Sequence, residues 1–513
     1  MMQRMTRTGL TIGLLLMLVG TISVFANGEQ EAAAEDEVFE FTYMARYFGD
    51  RTPDMDFPGW AAIEEATNTR LDIDWLPAGE AYQEGFRVRL AARNLPMAAK
   101  VYTVGLVNSP MILNAVDQGA FWPAGDYVLD NPDDFPTISG LSDMNVWELL
   151  EIDGQNWFII TERPVGRPVW MYRADVAREK GITERPETSE EAYELWAALA
   201  EEFEMGAALW EVQLPSSQWA WTNIMATWFG APNNYGLDES GDLVYAPMTE
   251  GWKEMMRFVK RLYDNGIINS DFPAISDVPT REMFHSGRAG SIRLAAGNYT
   301  QMPDRNVSLD NPTFDDFDMF GALNVDQGGG ISIGSGAGGV TLFTRDGIES
   351  EAELAQALEV FEYVAAPENW SAVNGEEGVH YETYERDGVT YQRRLIPETE
   401  HLASGHALNQ ALGLNLNEIV NNENEYGIPA RDLPALVAEI RQRGVEYGVR
   451  DITFGMSSET YNELSPQLDA IVTDATTRFI FGELTMDEYD AEMQRWLDSG
   501  GADVLAEYEA QMD

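Results

Sequence analysis

Phe39, Phe41 and Tyr43 alternate with Glu40 and Thr42, the two-residue period of a half-buried strand. Pro58 opens a helical segment carrying Trp60, Ile63 and Ala66, and alternation returns at Leu71, Ile73 and Trp75. A strand, helix, strand opening of this kind predicts a βαβ unit and an α/β fold. Amphipathic helices recur further on with their start signals in place. Thr188 with Glu191 precedes Leu195, Trp196, Leu199 and Phe203, Ser350 with Glu353 precedes Leu354, Leu358 and Phe361, and Thr485 with Glu488 precedes Tyr489, Met493 and Trp496. A further helix is predicted from Thr249 through Trp252, Met256, Val259 and Leu262 to a stop at Asn265-Gly266.

Two segments fall outside these periods. Arg4 and Arg7 precede an apolar run from Leu10 to Phe25 that ends at Ala26, the pattern of a secretory signal peptide with residues 1–26 removed. Residues 27–37 are small and acidic and are expected to form a disordered leader. The 487 residues left after removing 26 from 513 exceed what one hydrophobic core organises, which predicts two lobes. The chain contains no Cys, so disulfides, thiolate metal sites and a lipid-modified cysteine are excluded. An exported protein without a lipid anchor, working outside the cytoplasmic membrane, is expected.

Charge changes the picture most. Asp and Glu number 86 against 33 Lys and Arg, a formal net charge of −53, and only Lys100, Lys180, Lys253 and Lys260 are lysines. Nucleic acid and anionic membranes are thereby excluded as partners. An acidic, lysine-poor chain that repels itself in dilute buffer also predicts a protein that works in brine, where the screening length at ~1 M salt is about 3 Å.

Candidate chemistry is sparse. Gly334, Gly336 and Gly339 form a GxGxxG, but Val340 to Phe343 after it reads as a strand where a dinucleotide site needs a helix, so a flexible inter-lobe crossing is predicted. Of the four histidines, His401 and His406 are five apart, which does not put them on one helical face, and no metal site follows. Asp238, Ser240 and Asp242 around Gly241 read as a polar turn, because the bidentate Glu of a calcium loop is missing. Paired carboxylates for glycoside hydrolysis are too abundant to be selected by any local motif. Trp219 and Trp221 lie beside Gln218 and Asn223 in a polar stretch, where an aromatic platform for a sugar ring is one reading and core packing the other.

Several pieces in order carry a resemblance. They are Trp60 to Trp75 (WAAIEEATNTRLDIDW), Ala91 to Pro96, Gly119-Ala120-Phe121, Met171 to Asp175, Phe229 to Pro232, Leu262 to Ile268, Phe284 to Gly287, Gly375 to Tyr381 and Phe481 to Leu484. Over essentially all of the chain after the leader, it resembles the family 1 extracellular solute-binding proteins of the lipoprotein LipO type, partners of carbohydrate ABC permeases. Met97 stands where that family has Asp, and Glu204 to Leu209 stands where many members have a calcium loop, so no calcium is expected there.

The resemblance implies a periplasmic binding protein type II fold, two doubly wound lobes with a ligand cleft between them. Residues 38–165 and 337–400 would form the first lobe, and 166–336 and 401–513 the second. Crossings are implied near Glu162 to Arg167, in the Gly-rich stretch, and between Tyr381 and His401. The implied ligand contacts are Arg46, Tyr47, Gly105, Asn108, Glu162 and Arg163 from the first lobe, and Trp219, Trp221, Arg293, Asn298 and Tyr299 from the second. The implied activity is capture of a carbohydrate, without chemistry or cofactor, by a monomer that delivers it to a permease. Capture of a peptide or other polar solute, a secreted glycosidase and a sensory module are the competing readings.

Overall fold

The computed structural model describes residues 38–512 apart from 50, 103–106, 108, 142–145, 164, 215–219, 239, 311, 374, 387–388 and 415–432. The predicted signal peptide and acidic leader lie outside the described residues. The strands are β1 (Phe39–Tyr47), β2 (Thr69–Pro77), β3 (Ala98–Val101), β4 (Ile159–Glu162), β5 (Pro168–Arg173), β6 (Tyr235–Leu237) and β7 (Leu243–Tyr245). They continue with β8 (Ser291–Ala295), β9 (Phe317–Phe320), β10 (Ile331–Ser332), β11 (Ala337–Phe343), the hairpin β12 (Tyr381–Arg386) and β13 (Val389–Arg394), and β14 (Gly448–Val449).

The first lobe is built on a five-stranded sheet of order β2-β1-β3-β11-β4. β1 runs parallel to β2 and β3, while β11 lies antiparallel between β3 and β4. Both faces are covered. Phe41, Tyr43 and Ala98 face Trp60, Leu358, Phe361 and Leu408, whereas Met44, Ala99 and Val101 face Tyr82, Phe86, Ile112 and Val116. β1 therefore alternates as predicted at its start and is buried on both sides further along, as a central strand of a doubly wound sheet is.

The second lobe has a thinner sheet, β8-β5-β9, in which both neighbours run antiparallel to β5. Its parallel part is reduced to single bridges from Met205 to Ala289, Ala207 to Ile268 and Ala208 to Ile292. The segment that departs from a calcium loop thus lies along β8. Trp170, Trp196, Trp228, Phe258 and Phe320 fill the core beside it, with ring centroids 4.9–6.5 Å apart. The architecture is the two-lobed α/β fold that the sequence led us to expect.

The capping expectations hold in detail. Thr188 and Glu191 form a reciprocal capping box, as do Thr485 and Glu488, and the Ser350 hydroxyl accepts from the Glu353 N–H. The helix Glu250–Asp264 starts at the Thr249 cap, and Gly266 behind it has φ +67°.

The Gly-rich stretch is a passage between the sheets, running from β10 into β11. Its glycines are there for space. A Cβ on Gly339 would lie 2.7 Å from the Val101 carbonyl oxygen, and one on Gly338 would lie 2.3 Å from Cγ of Arg163. Another passage, residues 163–167, links β4 to β5.

The expected boundary at residue 400 needs correcting. Leu408, Ala411, Leu412 and Leu414 belong to the core cluster of the five-stranded sheet, so the chain stays with the first lobe as far as Leu414. Val437 and Ile440 of the helix Leu433–Glu446 pack with the second lobe. The hairpin β12–β13, where the last crossing was expected, therefore precedes residues that still belong to the first lobe.

In the helix Glu459–Ile480, Asp469 accepts from the Tyr461 hydroxyl at 2.9 Å, and burial pushes its carboxyl up to about 6. A folded pKa above the unfolded value means that the native state binds the proton more tightly. Stability then falls as pH rises from about 4 to about 6 and stays reduced above that. Asp469→Asn keeps a carbonyl acceptor for Tyr461 and is expected to raise the melting temperature at pH 7.5 but not at pH 4. Equal shifts at both pH values would refute this account.

Candidate functional site

In an open α/β sheet, ligands sit outside the carboxyl ends of the strands where the strand order reverses. In the first lobe that point is between β1 and β3, because β2 flanks β1 on one side and β3 on the other. Arg46 and Tyr47 end β1 and Tyr102 follows β3. The Arg46 guanidinium lies 3.8 Å above the Tyr102 ring and 5.0 Å from that of Phe48. The Tyr102 hydroxyl accepts the Arg46 backbone N–H at 3.1 Å and donates to the Gln410 carbonyl at 3.2 Å, which fixes the ring under the guanidinium.

The passages between lobes end at the same place. Arg163 donates its backbone N–H to Gly336 at 2.6 Å and Glu162 donates to Leu414 at 2.6 Å, so three chain segments are tied together where β4 ends. Arg167 accepts at its carbonyl from the Ala296 N–H at 2.8 Å, just past the end of β8. Arg293, on β8, is buried with its guanidinium 4.6 Å from the Trp210 ring. Arg441, on the helix Leu433–Glu446, reaches toward Gly297, whose Cβ would stand 3.8 Å from Nη2. Lys100 is buried behind Tyr102 and donates Nζ to the Ala411 and Gly413 carbonyls at 3.1 and 3.0 Å. It satisfies carbonyls at the C-terminal end of the helix Gly405–Leu412, where a positive charge is favoured.

The cations feel one another. Burial, then the charges of Arg163, Arg441 and Arg293, lowers Arg167 to about 9. Burial and the Arg46 charge lower Arg163 to about 10. Lys100 is held well below the ordinary lysine range by burial and then by Arg163 and Arg46. Burial pushes the Tyr102 phenol up to about 12. Lowered only to about 10 and about 9, Arg163 and Arg167 stay charged at neutral pH.

The residues implied by resemblance separate into groups. Arg46, Arg163 and Arg293 meet at this junction, with Tyr47 half-buried at the end of β1 and Glu162 at the end of β4. Asn298 is spent on the backbone, its Oδ1 accepting from the Ala295 N–H at 3.2 Å. Trp221 is a correction. It is fully buried, its indole N–H donates to the Trp210 carbonyl at 3.0 Å, and its ring meets Phe272 edge-on, so it is core. Tyr299 is another: it is buried against Phe314, and its hydroxyl lies 3.0 and 3.2 Å from the Phe314 and Phe317 carbonyls, which ties down that turn. Gly105, Asn108 and Trp219 lie outside the described residues.

Lys100, Arg167 and Arg441 were not singled out from the sequence. A signal for Lys100 was present: it interrupts an apolar strand in a chain with four lysines.

No family model matches the chain. In sequence it is similar to the polygalacturonan/rhamnogalacturonan-binding protein YtcQ of Bacillus subtilis, 25% identical over 530 residues and covering 96% of each chain. It is also similar to the lipoprotein LipO of the same bacterium, 24% identical over 515 residues, covering 98% of this chain and 97% of the other. Its fold matches the alginate-binding protein AlgQ2 with a TM-score of 0.63 at 16% identity, over 93% of this chain and 98% of that one. The chain is thus a homologue of YtcQ and LipO, built on the fold of the family 1 extracellular solute-binding proteins.

Proposed function

We propose that this protein is the solute-capturing subunit of an ABC importer, which takes a carbohydrate between its lobes and hands it unaltered to a permease. The observation that carries the reading is the convergence, at the passages between the lobes, of polar side chains from both: Arg46 and Arg163 on one side, Arg293 and Arg441 on the other. A guest that touches both lobes favours the closed state by its differential contacts with it, and closure is a signal a permease reads. The polygalacturonan, rhamnogalacturonan and alginate named for YtcQ and AlgQ2 support a saccharide as the guest. No catalytic step is needed, and the protein acts as a monomer.

Incubation with an oligosaccharide library is expected to return every sugar intact by mass spectrometry, while a bound one raises the melting temperature and contracts the protein in small-angle scattering. At a free concentration 100 times Kd the stabilisation is about 2.7 kcal/mol. Cleaved sugar, or binding without contraction, would overturn the proposal.

The same reading places the protein outside the cytoplasmic membrane, after cleavage at Ala26. Among the described residues no helix is long and apolar enough to cross a membrane. The excess of 86 acidic over 33 basic residues further supports work in brine. Melting is expected to be markedly higher in 2 M than in 50 mM sodium chloride, and equal melting would refute the brine assignment.

A further inference from the structure

The lysines of this chain divide three to one. Lys180, Lys253 and Lys260 each meet a carboxylate at 2.5–3.1 Å, the ordinary fate of a cation among 86 acidic residues. Lys100 is buried on β3, pairs with no carboxylate among the described residues, and spends its ammonium on the Ala411 and Gly413 carbonyls. A buried ammonium is costly unless its donors are met, so the position calls for a reason.

The reason lies in how the helix Gly405–Leu412 ends. The last carbonyls of a helix have no partner within it, and Gly413 behind this one is extended, with φ −62° and ψ 129°, so no left-handed turn closes it. The sheet of the first lobe supplies the donors instead. The Tyr102 hydroxyl reaches the Gln410 carbonyl at 3.2 Å, the Tyr43 hydroxyl reaches Ala411 at 2.9 Å, and the Glu162 N–H reaches Leu414 at 2.6 Å. Lys100 alone among these donors bonds on both sides of the break, to Ala411 in the last turn at 3.1 Å and to the extended Gly413 at 3.0 Å. Its own backbone is fixed in turn, because the Tyr82 hydroxyl donates to the Lys100 carbonyl at 2.6 Å.

Tyr102 carries this helix end to the candidate site. The hydroxyl that donates to Gln410 also accepts the Arg46 backbone N–H at 3.1 Å, and the ring lies 3.8 Å from the Arg46 guanidinium. Lys100 and Tyr102 stand two positions apart and extend to the same side, with Nζ 5.8 Å from the ring.

We propose that Lys100 is a positioning residue for capture: by fixing the end of the helix Gly405–Leu412 it fixes the Gln410 carbonyl, through it the Tyr102 hydroxyl, and so the seat of Arg46, without touching the guest. This rests on the capture function proposed above. An ammonium suits the task because it brings three donors on a flexible stem and no acceptor, and because positive charge is favoured at a helix C-terminus. Methionine would fill nearly the same space and leave both carbonyls without that donor.

The test combines amide hydrogen exchange of the full protein with calorimetric titration in 1 M sodium chloride, using trigalacturonate and kestose as probes. In Lys100→Met the Arg46 amide is expected to exchange about 10-fold faster, and affinity for whichever trimer binds the parent is expected to fall about 10-fold at temperatures well below melting. Tyr102→Phe is expected to do the same, and Lys100→Met in that background should add less than about 3-fold, because both act by one route. Tyr43→Phe is the structural comparison. It removes a bond to the same Ala411 carbonyl that Lys100 still occupies, so melting should fall while the Arg46 amide and the affinity stay as in the parent.

Unaltered Arg46 exchange and affinity in Lys100→Met would overturn the proposal and leave the capture function standing, and so would losses that add fully in the double variant. Should Lys100→Met not fold, the parent decides: across a denaturant series the Arg46 amide and the amides of the helix Gly405–Leu412 should open together, and separate openings would refute the link. If the parent bound no saccharide, the capture function would fail, while the Arg46 amide would still decide whether Lys100 seats that residue.

Discussion

Trp221→Ala is expected to lower the melting temperature by about 10 °C while leaving saccharide affinity, measured well below the transition, near that of the parent. The side chain is fully buried, in edge contact with Phe272 at 6.0 Å, and its indole N–H is satisfied by the Trp210 carbonyl. Truncating a buried Trp leaves a cavity and costs about 3–5 kcal/mol. In a unit of roughly 150–250 residues each kcal/mol moves melting by about 2–4 °C. The Trp210 and Glu211 carbonyls lose the indole N–H as a donor, and no contact to a guest is removed. Calorimetric melting alongside titration decides the matter. A variant that melts like the parent and no longer binds would put Trp221 back at the cleft.

The polar residues around Trp221 explain why the sequence misled there. Asn223 is buried, and its amide donates to Asn233, which in turn donates to the Ile333 carbonyl at 2.9 Å and the Val449 carbonyl at 2.8 Å. Thr222 donates to the Gln213 carbonyl at 2.6 Å. The polarity is a buried clamp on the Gly-rich passage, and buried amides of this kind look identical to a ligand-facing loop until their partners are known. Strands, caps and the opening βαβ unit were legible because their signals are local: period, Pro58, Thr188 with Glu191. The binding junction was half legible. Arg46 and Arg163 could be reached through the ends of strands, whereas Lys100 owes its burial to the Ala411 and Gly413 carbonyls, 311 and 313 residues away. Arg441 reads as the solvent face of a helix, whereas in the fold its Nη2 lies beside Gly297 of a distant segment. The lobe boundary failed for the same reason: the helix Gly405–Leu412 is short, and what assigns it to the first lobe is the Tyr43 hydroxyl donating to Ala411 at 2.9 Å across 368 residues.

Gly166→Val is expected to cost about 100-fold in saccharide affinity for a melting loss of only a few degrees. Gly166 sits in the passage from β4 to β5 with φ +63°, a region a β-branched residue enters only under strain of about 1–3 kcal/mol. Its Cβ would also lie 2.9 Å from both the Arg441 carbonyl oxygen and the Gly444 Cα, which are backbone atoms and cannot rotate away. The helix Leu433–Glu446 must therefore back off from the passage, carrying Arg441 away from Arg167, the residue next to Gly166. Gly444→Ala supplies the contrasting case. Alanine for glycine inside a helix ordinarily gains about 1 kcal/mol, but a Cβ on Gly444 would stand 2.6 Å from the Gly166 Cα. At this one helical position the sign should reverse, with weaker binding and lower melting together. If both variants bound saccharide as the parent does, the close pass of these two backbones would have no part in setting the junction, and the cations it aligns would have to be positioned by something else.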